Sequence, residues 1–120
     1  MTAIRSIIAA AALLLSACGG GVPPTAQPDP AVAARVKALS GDNACSDAFA
    51  GVLTAYRIPP GSLAGFDLPT ISYDHPGTPV LRQAWFRLSS GGSLVLGYDA
   101  TQCFVTDITP RGAAALPTIG

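Results

Sequence analysis

The chain has 120 residues, seven basic and seven acidic side chains, a formal net charge of zero, and only 12% charged residues. That is about half the usual charged share. No basic run or stripe occurs, so the chain lacks the electrostatic footprint of a nucleic-acid binder. The length suits one small domain. A surface so poor in charge has to be covered by Ser, Thr, Gly and Pro, or by a partner.

The first segment is an apolar run, Ile7-Ile8-Ala9-Ala10-Ala11-Ala12-Leu13-Leu14, with Arg5 ahead of it and Leu15-Ser16-Ala17-Cys18 behind it. The nine apolar residues of 7–15 would rise only about 14 Å as a helix, roughly half the hydrocarbon core of a bilayer. They are too short to remain as a span. A positive residue, a short apolar stretch and small residues before a cleavage point are the parts of a secretory signal. The segment resembles the signal peptide and lipobox of bacterial lipoproteins, which ask for an aliphatic residue, two small residues and then cysteine. Leu15, Ser16, Ala17 and Cys18 match at all four places.

The resemblance implies that residues 1–17 are removed, that Cys18 becomes the first residue of the mature protein, and that its sulfur carries a diacylglyceryl group while its amine is acylated. The membrane is then a partner through the lipid on Cys18. Gly19 follows the cysteine, whereas Asp at that place often holds members of the family in the inner membrane. The expected location is therefore the periplasmic leaflet of the outer membrane. Removing Arg5 leaves six basic side chains against seven acidic ones, a net charge of about minus one.

Setting Cys18 aside for lipid leaves two of the three cysteines, Cys45 and Cys103, with one possible pairing. An exported chain with an even remainder favours a disulfide. The alternatives are two buried thiols or a redox pair, although no CxxC and no Cys/His cluster argue for redox or zinc chemistry. Closing a loop of about 58 residues would stabilise the fold by about 4 kcal/mol on the chain-entropy account.

Residues 18–29 (CGGGVPPTAQPD) are too rich in glycine and proline for a helix or a central strand. They read as a tether, and Gly19–Pro30 extended as polyproline II reaches about 37 Å. Asp29-Pro30 reads as an N-cap and first-turn proline. Val32, Val36 and Leu39 share one face, which predicts a helix over 30–40 ended at Gly41. Asp42 or Asn43 is placed to cap a second helix, in which Cys45, Phe49, Val52, Leu53 and Tyr56 fall on one apolar side. Pro59-Pro60-Gly61 ends it. Residues 59–70 read as a turn-rich connection that Leu63, Phe66 and Leu68 pin to the core.

A brief strand at Ile71–Tyr73 and a turn at Asp74-His75-Pro76-Gly77 are expected next. Three clearer strands follow over 80–88, 93–98 and 103–109, with a hairpin signal at Ser89-Ser90-Gly91-Gly92. In the first, Val80, Arg82, Ala84, Phe86 and Leu88 share one face, and Leu81, Gln83, Trp85 and Arg87 the other. Short connections imply an antiparallel meander. The expected fold is α+β: two short helices on a three- to four-stranded antiparallel sheet, clamped by one disulfide. The folded domain is expected over 30–110, with 111–120 a flexible tail.

Catalytic groups are scarce. There is no glutamate, and the sole histidine, His75, lies beside Asp74 and near Ser72. A hydrolase using His75 needs those groups to converge through space, which sequence neighbours rarely do. The other reading is a solvated turn histidine. The aspartates fall mostly at caps and turns, where they bond backbone, and no cofactor or metal ligand set is expected.

Binding has the better candidates. Trp85 between Gln83 and Arg87 has the composition of an interface centre, and Tyr73, His75 and Arg82 extend the patch if the strand at 71–73 pairs beside it. The competing reading buries Trp85 under the 59–70 connection or in a second small core. The expected function is a non-catalytic envelope module that binds a protein or peptidoglycan. An inhibitor of a lysozyme or protease is the alternative, resting on size and location alone.

Overall fold

The computed structural model describes residues 21–69 and 81–117. The signal segment, Cys18, the strand expected at 71–73 with Tyr73, and the turn with His75 lie outside the described residues. Two helices, α1 (Pro30–Ser40) and α2 (Ser46–Ala55), precede a 3-10 turn at Pro60–Ser62. Four strands follow: β1 (Leu63–Asp67), β2 (Leu81–Leu88), β3 (Ser93–Asp99) and β4 (Phe104–Arg111). The strands pair antiparallel in the order β1-β2-β3-β4. This is the expected α+β meander carrying two helices.

Local chemistry sets the helix ends. Asp29 Oδ1 accepts from the backbone N–H groups of Ala31 at 2.8 Å and Val32 at 3.3 Å, and Pro30 opens α1. The carboxylate thereby satisfies donors that the first helical turn leaves unpaired. The second helix starts differently from expectation. Neither Asp42 nor Asn43 is its N-cap; Asn43 Oδ1 accepts from the Cys45 N–H at 2.8 Å, a local side-chain turn that comes two residues too early to cap. Cys45 is the N-cap and makes no side-chain capping bond.

One hydrophobic core lies between the helices and one face of the sheet. Phe49 of α2 is fully buried at its centre. Its ring meets Tyr98 edge-on at 4.7 Å, Phe86 at 5.8 Å and Phe66 at 6.3 Å between centroids. These are the spacings and tilts aromatic quadrupoles favour. Val32 and Val36 of α1, Val52 and Leu53 of α2, and Ala84, Leu94 and Leu96 of the sheet complete it. Arg35 ties α1 to β1, donating from Nε at 3.0 Å and Nη2 at 2.9 Å to the Leu63 carbonyl.

Cys45 and Cys103 are joined as a disulfide with their Cα atoms 4.9 Å apart. The bond fixes the start of α2 to the turn that leads into β4. Cys103 itself adopts φ +54, a left-handed conformation rarely taken by a residue with a side chain.

Three segments differ from the sequence reading. The 59–70 stretch contains β1, with Leu63 buried and Phe66 half-buried, while Leu68 is exposed rather than pinned to the core. The ladder shifts register between Leu63 and Gly65, so Leu63 and Phe66 reach the same face three residues apart and break the period-2 signature.

The chain after 109 is not simply frayed. Pro110 and Arg111 belong to β4, and Ala114 and Leu116 pack against the core. Pro110 is tolerated because β4 is an edge strand, where a missing N–H costs no ladder bond.

The third difference is the tether, of which residues 23–29 are docked rather than free. Pro23 is buried. The Ala26 N–H donates to the Gly51 carbonyl at 3.1 Å, and the Asp29 N–H donates to Thr54 Oγ1 at 3.0 Å. Residues 23–29 thus run as a strap along α2. Gly51 permits this approach: a Cβ there would stand 2.5 Å from Thr25 Oγ1 and 3.1 Å from the Ala26 carbonyl.

Two outcomes follow from these contacts. Replacing Cys45 and Cys103 together by alanine should lower unfolding stability by about 4 kcal/mol, measured by urea denaturation. Gly51→Ala should displace the strap despite alanine's better helix propensity. In that variant the Ala26 amide should exchange with solvent about 5 to 150 times faster than in the parent, as ~1–3 kcal/mol of overpacking strain implies.

Candidate functional site

The sheet has a second face that neither helix covers. Along β2, Ala84 and Phe86 point into the core, so Gln83, Trp85 and Arg87 alternate to the outside. Register extends this face across the sheet. Asp67, Trp85, Val95 and Thr109 form one row; Gly65, Arg87, Ser93 and Arg111 form another; Gln83, Gly97 and Asp107 form a third.

Three contacts organise the face. Trp85 Nε1 donates to Gln83 Oε1 at 3.2 Å, leaving its indole half-buried. Val95, directly opposite Trp85, is only 3% exposed, so the face has a small apolar centre rather than a wholly polar surface. Arg87 Nε donates to Asp67 Oδ2 at 3.2 Å across the β1–β2 pair, with both side chains 60% exposed. An ion pair so exposed adds little stability, but it ties the guanidinium to β1 on the face that carries Trp85. Gly65 makes room for it, because a Cβ there would collide with the Arg87 guanidinium as it is placed.

Of the six residues of the predicted patch, Gln83, Trp85 and Arg87 come together. Arg82 does not join them. It pairs with Tyr98 and shares the parity of Ala84 and Phe86, so it lies half-buried at the core side of the sheet. Tyr73 and His75 are outside the described residues. Asp67 joins the face and was missed, because β1 carries no clean alternation. Among the described residues, no group of three or more His, Cys, Asp or Glu side chains gathers as metal ligands would.

Arg82 has a different role. Burial pushes the Tyr98 hydroxyl above the ordinary tyrosine value, while the Arg82 charge and a hydrogen bond with Asn43 pull it partly back. This trio joins the loop before α2 to the middle strands.

A second feature lies where the strap meets the start of β4. Val22 and Phe104, both exposed, line a groove with Pro23, Thr25, Ala48 and Val52. No charged side chain lines it.

Comparison with family models, with curated proteins and with solved structures finds no match to this chain.

The Tyr98 environment gives a pH dependence of defined sign. A pKa raised in the folded state means the unfolded chain loses that proton first, at the ordinary value of about 10. The stabilisation is complete below that pH and is lost as pH rises through the folded value. Urea unfolding should therefore weaken above about pH 10, and Tyr98→Phe should flatten that alkaline decline.

Proposed function

We propose that the protein is a non-catalytic, lipid-anchored module of the cell envelope, held by lipid on Cys18 at the periplasmic leaflet of the outer membrane. One observation carries the anchor. The Cys45–Cys103 bond takes two of the three cysteines, so the remaining thiol is the one that ends Leu15-Ser16-Ala17-Cys18. A stable internal disulfide belongs to an oxidising compartment, where a third, unpaired cysteine is a liability unless it is modified.

The working surface in this reading is the open sheet face around Trp85, and its partner is an envelope protein. An aromatic side chain flanked by arginine, over a small apolar centre rimmed with both charge signs, matches the core-and-rim composition of protein interfaces. The mixed signs of Arg87, Asp67, Asp107 and Arg111 suit a complementary protein surface better than a uniformly charged polymer. No catalysis is assigned, since the chain has no glutamate and a single histidine.

The anchor is tested by feeding cells radiolabelled palmitate. The parent protein should take up label and sediment with membranes, and Cys18→Ser should take up none; an unlabelled parent protein contradicts the anchor.

The surface is tested by photocrosslinking from position 83 in intact envelopes. A discrete protein adduct is expected, and Trp85→Ala should weaken the purified complex by about 2 kcal/mol, roughly thirty-fold. Cosedimentation with purified peptidoglycan, unchanged by Trp85→Ala and without a protein adduct, contradicts the assignment.

A further inference from the structure

The strap changes what the anchor can do. A free segment from Cys18 to residue 29 would let the domain tumble at the end of a flexible leash. Pro23 is instead already buried at the head of the strap, and Ala26 and Asp29 bond to α2 further along. Only four peptide units separate Cys18 from Val22. Fully extended they span at most about 14 Å, so a lipid on Cys18 places the head of the strap at the headgroup region.

That point is where the described structure exposes its largest apolar side chains outside the ends of the β1–β2 connection. Val22 is 63% exposed and Phe104 50% exposed, and the two line one groove with the apolar side chains of Pro23, Ala48 and Val52. The groove is shallow, about 120 Å³. The disulfide fixes Cys103 to Cys45, at the foot of α2, so Phe104 cannot swing away from the strap.

We infer that this Val22–Phe104 end is a membrane-facing surface, seated against the lipid headgroup–acyl boundary, and that it holds the domain in one orientation on the bilayer. The inference rests on the anchor reading above. Its occupant is the lipid surface itself. Chain length brings that surface within reach, and the lining is apolar. A contact without cations gains nothing from anionic lipid and is insensitive to salt.

Orientation then protects the binding face. Phe104 pairs with Asp99, which pairs with Leu81, and Trp85 lies four residues further along β2. At ~3.4 Å per residue that is about 14 Å along the strand, far enough to leave the indole out of the boundary layer. The sheet face stays open to the periplasm while the opposite end rests on lipid.

The chain has a single tryptophan, which supplies both probe and control. The full lipidated protein is placed in phosphatidylcholine vesicles whose acyl chains are brominated near the ester end. Two reporters, Phe104→Trp and Val22→Trp, are each made in a Trp85→Phe background. Both exposed positions tolerate the change, and either suffices if the other fails to fold.

The expected result is loss of most indole emission in both reporters, with a blue shift, at low and high salt alike. The parent protein, reporting from Trp85, should keep its emission. Vesicle flotation of every protein accompanies the measurement. Proteins that float while the reporters stay bright, or while Trp85 is quenched equally, overturn the orientation and leave the anchor standing. A lipid-treated protein that fails to float overturns the anchor, and the orientation falls with it.

Discussion

The bond between Cys45 and Cys103 is the constraint on which the rest depends. It joins the first residue before α2 to the last residue before β4, elements 58 positions apart in sequence. With that link closed, α2 is held across the sheet and Phe49 falls against Tyr98, Phe86 and Phe66. A domain of this size has little apolar area to spare, so a covalent tie of a few kcal/mol is a large share of its net stability. The same bond accounts for two of the three cysteines, and the proposed anchor is built on the third.

The helices and sheet give the described residues three surfaces of different character. One sheet face is filled by the helices and is structural. The other carries Trp85, Gln83 and Arg87 on a rigid ladder, so these side chains are presented by strands rather than by loops. The third surface is the end where strap and β4 meet. Because Ala26 and Asp29 are bonded to α2, the head of the strap, next to which the proposed anchor would sit, is coupled to the position of the sheet. A module that works at a membrane gains from such coupling, since presenting one face in one direction removes orientational entropy that binding would otherwise have to overcome.

Much of this was legible in the residues, and the failures have physical causes. The two helices announce themselves through Asp29-Pro30 and through the spacing of Phe49, Val52 and Leu53. Strands β2 and β3 announce themselves through alternation either side of Gly91-Gly92. The pairing of Cys45 with Cys103 followed from parity once Cys18 was set aside. Strand β1 stayed hidden because its register shift puts Leu63 and Phe66 on the same face at an odd spacing. The strap stayed hidden because a Gly/Pro-rich segment signals only that it is neither helix nor strand. Whether it docks depends on Gly51 lacking a side chain twenty-five residues beyond Ala26. Strand parity put Arg82 with Ala84 and Phe86, where it lies, and only the condition that a 71–73 strand pairs beside β2 drew it into the patch; Asp67 was overlooked because its strand was.

The most direct test of the whole account is the intact mass of the protein extracted from membranes without reductant and treated with an alkylating reagent under denaturing conditions. The account predicts a chain beginning at Cys18, heavier by its lipid, with no alkylated sulfur, followed by two alkylations once the disulfide is reduced. A chain that takes alkylating reagent at Cys18, or at both Cys45 and Cys103 before reduction, contradicts it.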